Sequence, residues 1–217
     1  MAFEISILPD QPNFRAKGDF RHQHIGDLSG FDLYDWIKSS LHGLCRADGT
    51  CQLNVPKTRK DVRWDDGKGV AVCCSDLRLF IYGHHVAKSV KTPSLPGITD
   101  AMIEVLAQSW RQQVDNWYTN QRNCYDMFLK PDKGKHTPAQ YWRFCNIARR
   151  METRIYGLEK LSLGVQIDFG PHEGLNRAGW FDCEGVLGAT QWVLEGLRGD
   201  IESALHSSAA FRKSCNL

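Results

Sequence analysis

Apolar residues alternate with polar or small residues from Leu161 to Phe169, and this is the clearest pattern in the chain. A period of two is typical of a β-strand with one buried face and one polar face. A second apolar run, rich in β-branched and aromatic residues, predicts two further strands over residues 69–74 and 77–82. We therefore expect one small antiparallel sheet that includes residues 69–82 and 161–169.

Elsewhere apolar residues recur every three to four positions, which is the spacing of an amphipathic helix. Ser29 and Thr99 stand where an N-cap is expected, and Thr137 followed by Pro138 is a typical helix start. The predicted helical regions are residues 31–44, 99–130, 138–157 and 182–205.

The chain has 217 residues, which is enough for one well-filled core. Hydrophobic residues at 42% and charged residues at 24% are ordinary for a globular protein, and no stretch approaches the roughly 18 apolar residues of a membrane span. We predict a single α+β domain over residues 1–217, with an irregular N-terminal arm at residues 1–28. Its small antiparallel sheet is expected to be covered by four to five helices and to be disulfide-stapled.

The chain contains eight cysteines and no C-x-x-C pair, which is unlike a zinc ribbon or a thioredoxin-type redox site. Such a spread favours long-range disulfides. Neighbours on a strand point to opposite faces, so Cys73 and Cys74 are expected to have different partners, while the pairing itself stays open. The disulfide candidates are Cys45, Cys51, Cys73, Cys74, Cys124, Cys145, Cys183 and Cys215.

Cysteine usage also bears on the compartment. Disulfides persist in oxidising compartments, which favours a secreted protein. The first residues show neither the basic region nor the apolar region of a signal peptide, so the expectation is a mature secreted form. If the thiols were free, a cytoplasmic protein would be expected instead.

The formal net charge of +2 is too small to predict nucleic-acid binding by long-range attraction. Three arginines, Arg143, Arg150 and Arg154, fall near one another on the helix predicted over residues 138–157. They are candidates for binding an anionic partner, and a charged solvated face is the alternative interpretation.

Histidines and carboxylates end two of the predicted strands. His84 and His85 follow residues 77–82, and Asp168 is followed at once by a glycine-containing loop with His172 and Glu173. Histidine titrates near neutral pH and a carboxylate can orient it, so these five residues are candidate catalytic groups for acid–base chemistry. They would meet at one edge if the two strands lay side by side. The alternative is a pair of polar turns without a catalytic role.

Several common catalytic and nucleotide-binding motifs are absent from the sequence. It contains no G-x-x-x-x-G-K-S/T loop, no G-x-G-x-x-G fingerprint, no H-E-x-x-H and no G-x-S-x-G elbow. These absences remove the commonest routes to nucleotide binding and to zincin or α/β-hydrolase chemistry. No cofactor and no metal site is predicted.

One stretch has the order of features of a known family. Trp64 is followed by a short acidic and glycine turn, a small apolar strand that ends at Cys73, a second apolar strand over residues 79–82 and a helix led by glycine over residues 97–109. Residues 64–113 thereby resemble the fungal killer-toxin family typified by the virally encoded toxin of corn smut. The resemblance implies a secreted α+β sandwich that acts on a target cell rather than by catalytic turnover.

Two functional hypotheses follow. The first is a secreted, cysteine-rich protein of the effector or toxin kind, which acts by binding a target protein or small molecule. The alternative is a small cofactor-independent enzyme, a hydrolase or isomerase, which uses the histidine and carboxylate groups in a cleft lined by aromatic residues.

Overall fold

The computed structural model describes most of the chain. It describes residues 2–8, 22–65, 71–86, 95–116, 122–129, 140–156, 161–169 and 181–215, and within these ranges the side chains of residues 22–24, 65, 71–74, 128, 129 and 140 are not described. The strands are β1 (Ala2–Ile7), β2 (His22–His24), β3 (Lys57–Asp65), β4 (Ala71–His85), β5 (Cys124–Leu129), β6 (Gln140–Ala148), β7 (Arg150–Tyr156), β8 (Leu161–Phe169) and β9 (Ala210–Cys215). The helices are α1 (Gly30–Leu44), α2 (Leu95–Asp115), α3 (Cys183–Gly196) and α4 (Arg198–Leu205).

The described strands form two sheets. The larger one has six strands in the order β3-β4-β8-β7-β1-β9, and the smaller one has the order β2-β6-β5. The large sheet is mixed, because β1 pairs with β9 in parallel while every other pair of neighbouring strands in this sheet is antiparallel. The prediction of a small antiparallel sheet is therefore wrong. Ala2–Ile7 lies within the segment that was expected to be an irregular arm, yet β1 is an interior strand of the large sheet.

A predicted helix over residues 138–157 is also wrong within the described residues, because these residues form β6 and β7. Phe144, Cys145, Ile147 and Ala148 are all buried, so both sides of β6 are apolar there and the pattern has no strand period. A short run that is apolar on both sides cannot be assigned to helix or strand from periodicity alone. Cys124–Leu129, which was expected to continue a helix, is also a strand, and it pairs with β6 along its whole length.

The core lies between the helices and one face of the large sheet. The predicted alternation in β8 is confirmed, since Leu161, Leu163, Val165 and Ile167 are all buried. The two strands predicted over residues 69–74 and 77–82 are not separated, because β4 runs as one continuous strand through residues 75 and 76. Four helices are described, and Ser29 caps α1 as predicted by accepting a hydrogen bond from the backbone N–H of Asp32 at 3.1 Å.

Helix α2 fixes the point at which the chain leaves the small sheet for the large one. Ala148 is the last residue of β6, and the chain bends at Arg149 before β7 begins. The indole Nε1 of Trp110 donates to the carbonyl of Ala148 at 2.8 Å. One turn along α2, Oε1 of Gln113 accepts the Ala148 N–H at 2.6 Å. Both side chains are fully buried, so both polar groups of Ala148 are satisfied by α2.

Three disulfides join described cysteines, which confirms six of the eight candidates. One joins Cys45 to Cys51 across the turn after α1, one joins Cys124 to Cys145 across β5 and β6, and one joins Cys183 to Cys215 between α3 and β9. Cys73 and Cys74 lie in β4, and their side chains are outside the described residues. Among the described helices, none is both long enough and apolar enough to span a bilayer.

Candidate binding surface

The structure does not bring His84 or His85 to Asp168. Strands β4 and β8 are neighbours, as the enzyme hypothesis required, but they run antiparallel. His84 lies opposite Leu163 near the start of β8, five residues before Asp168, which corresponds to roughly 17 Å along a strand. Catalytic groups must reach one substrate directly or through one water, so these positions do not form one site. His172 and Glu173 lie outside the described residues.

His84 and His85 have different surroundings, as expected for neighbours on a strand. The imidazole of His84 is half-buried, and its Nδ1 accepts a hydrogen bond from the backbone N–H of Cys51 at 3.3 Å. Burial, with a smaller contribution from His85, lowers the pKa of His84 and favours the neutral ring that accepts this bond. His85 is exposed. In the described contacts, His84 supports the loop closed by the disulfide between Cys45 and Cys51.

The carboxylate of Asp168 is bound by neighbouring side chains of the fold. Its Oδ1 accepts a hydrogen bond from Nε of Arg149 at 2.7 Å, and Nε2 of Gln166 lies 2.9 and 3.0 Å from its two oxygens. The carboxylate and the guanidinium are both largely buried, with side-chain exposures of 11% and 13%. A buried carboxylate satisfied in this way holds the bend at Arg149 against β8.

The three candidate anion-binding arginines do not form one cluster. Arg143 lies in the small sheet and is paired with Asp126, with Nη1 3.0 Å from Oδ1. Arg154 is paired with Glu152 on its own strand, with Nε 2.8 Å from Oε1. The helical proximity predicted for them is lost because residues 140–156 form two strands of different sheets.

Arg150 is buried on the large sheet, on the face opposite the helices. Its guanidinium lies 4.1 Å from the ring centroid of Tyr82, an arrangement that is a cation–π contact. Burial is the main cause that raises the pKa of Tyr82, and the nearby Glu152 adds to it. The Tyr82 ring in turn lies over Gly164, where an added Cβ would come within 2.5 Å of the ring. Arg150 is therefore part of the packing of this face.

A concave surface that sequence reasoning missed lies where the small sheet meets the helices. We call it the inter-sheet groove. It has a volume of about 450 Å³ and is lined by three segments: residues 27–30 at the start of α1, Val114 and Asp115 at the end of α2, and residues 141–143 with Cys145 on β6. The three segments are far apart in the sequence, which is why no local motif indicated the groove.

Two aromatic residues that are consecutive on β6 line the inter-sheet groove. Tyr141 is 64% exposed, and its hydrogen bond to Asp126 raises the pKa of the phenol. Trp142 is half-buried, with the guanidinium of Arg63 4.2 Å from its ring centroid. Exposed aromatic side chains next to a concave surface are typical of binding sites, because they supply a large contact area with little conformational freedom to lose.

The charged residues at the groove are held in place by partners. Asp27 accepts a hydrogen bond from the backbone N–H of Arg63 at 3.0 Å, and Asp115 is paired with Arg111 at 2.9 Å. At the groove floor, Cys145 is cross-linked to Cys124. The groove therefore combines aromatic residues with two carboxylates that are already paired and a strand that is cross-linked, and this order lowers the entropic cost of binding.

No family model, curated protein or solved structure matches the chain.

Proposed function

We propose that this chain is a secreted, disulfide-stapled protein of the effector or toxin kind, and that it acts by binding a target through the inter-sheet groove. The observation that carries the proposal is the groove itself, because Tyr141 is exposed there while Asp27, Asp115 and Cys145 beside it are held by partners. A rigid surface of this kind favours recognition of a partner without large rearrangement.

The disulfides support the extracellular part of the proposal. The pairs Cys45 with Cys51, Cys124 with Cys145 and Cys183 with Cys215 fit an oxidising compartment, since cytosolic thiols are normally kept reduced. The second pair lies at the groove and holds the two strands of the small sheet that carry Tyr141 and its partner Asp126. The disulfide between Cys124 and Cys145 would thus contribute both to stability outside the cell and to the order of the groove.

A direct test uses the fluorescently labelled wild-type protein on intact yeast, filamentous-fungal and plant cells. The proposal predicts saturable binding to at least one of these cell types, with loss of the signal when excess unlabelled protein is added. Binding should also fall when the disulfides are reduced, because the small sheet then loses its cross-link. Binding that does not saturate, or is not displaced, on all three cell types would contradict the proposed function.

A further inference from the structure

Helix α3 presents a tryptophan that the fold does not bury. Trp192 is 75% exposed, while Val186, Val193 and Leu194 of the same helix pack into the core. Leaving a large apolar side chain in water forgoes roughly 1.5–3 kcal/mol of burial free energy, so its position is not explained by folding. Beside the indole runs a groove of about 380 Å³.

The groove continues over Gly188, one helical turn before Trp192. Gly188 is exposed, and a Cβ built there would meet no atom within 4 Å. Packing therefore does not require glycine, although glycine in a helix interior costs about 1 kcal/mol relative to alanine. The effect of glycine at this position is to leave a bare backbone shelf next to the indole.

Positively and negatively charged side chains line the other end of the groove. Nη1 of Arg122 lies 2.5 Å from Oδ2 of Asp182, and Oδ1 of Asp182 caps α3 by accepting the N–H of Gly185 at 3.1 Å. The backbone of Asp182 is fixed in turn, because its N–H donates to the buried side chain of Asn123 at 2.9 Å. Glu184 also lines the groove.

We propose that this groove binds a neutral carbohydrate, a function that goes beyond target binding at the inter-sheet groove. A pyranose ring has an apolar C–H face, which matches a flat exposed indole beside an empty shelf. It also has a rim of hydroxyls that both donate and accept, which matches the paired guanidinium of Arg122 and carboxylate of Asp182 and the exposed carboxylate of Glu184. Arg122 and Asp182 compensate each other's charge, and Glu184 adds a second carboxylate, so the lining favours a neutral ligand over an anion.

The experiment is saturation-transfer NMR and calorimetric titration with neutral tetrasaccharides of glucose, of mannose and of N-acetylglucosamine. At least one is expected to bind the full chain with a Kd below about 10 mM. Trp192→Ala should weaken that binding at least about tenfold, because the stacking surface is removed. Gly188→Leu should weaken it similarly by filling the shelf, without lowering the melting temperature.

The matched control is Phe31→Ala, which removes another exposed aromatic side chain and should leave sugar binding unchanged. The inference is overturned if none of the three tetrasaccharides binds with a Kd below about 10 mM. It is equally overturned if Trp192→Ala binds as tightly as the wild type, or if Phe31→Ala loses binding to the same extent.

Discussion

Replacing Trp110 by Ala is expected to lower the free energy of unfolding by about 3–5 kcal/mol, which is the usual cost of truncating a fully buried tryptophan. The indole is 0% exposed and donates to the carbonyl of Ala148, so the substitution also removes a buried hydrogen bond. Urea denaturation followed by far-UV circular dichroism measures the loss. Trp110→Phe keeps much of the apolar volume and should cost about 1–3 kcal/mol, since it mainly leaves that carbonyl without its donor.

The control for this prediction is Trp192→Ala, the same substitution at an exposed position. It should change the free energy of unfolding by no more than about 0.5 kcal/mol. A loss below about 1 kcal/mol for Trp110→Ala would show that α2 does not hold the junction of the two sheets.

Replacing Asp168 by Ala is expected to cost about 3–5 kcal/mol, because it breaks a largely buried ion pair with the guanidinium of Arg149. The double variant Arg149→Met with Asp168→Leu should recover most of that loss, since an apolar pair replaces a buried ion pair with little net cost. Asp126→Ala breaks the exposed pair with Arg143 and serves as the control, with an expected loss of about 0–1 kcal/mol.

This series separates a structural role for Asp168 from a catalytic one. If Asp168→Ala unfolds at the same urea concentration as the wild type, the ion pair with Arg149 is not a support of the fold. If the double variant is no more stable than Asp168→Ala, then the loss does not come from an uncompensated buried charge.

Local patterns predicted the elements whose two faces differ. The strand β8 has a buried face and a face with Ser162, Gln166 and Asp168, so its period of two is visible in the sequence. The Ser29 cap before α1 was visible for a similar reason, because capping depends on only three or four neighbouring residues.

The remaining features depend on partners that are distant in sequence. β6 is buried where α2 packs on it, so its apolar pattern carries no period, and β1 and β9 are joined as parallel neighbours although they lie at opposite ends of the chain. Such pairings are set by the topology of the whole sheet, and a local window contains no information on them.

For the candidate sites too, local sequence indicated the residue types, while their arrangement depended on partners distant in sequence. The cysteine count favoured disulfides, but the pairing required the structure. The enzyme hypothesis required adjacent strands for His84 and Asp168; the strands are adjacent, but their antiparallel direction places the two residues at opposite ends of the shared ladder. The inter-sheet groove combines residues 27–30, 114–115 and 141–143 with Cys145, and its surface at Tyr141 became recognisable only once β6 was seen to be a strand.

The central claim is that binding occurs through the inter-sheet groove, and competition on intact cells tests it most directly. Unlabelled Tyr141→Ala should displace labelled wild-type protein only at concentrations at least about tenfold higher than unlabelled wild type, because the exposed ring at the groove is lost. Tyr156→Ala removes a partly exposed tyrosine of the large sheet and should compete like the wild type. Equal competition by Tyr141→Ala and the wild type would contradict the claim.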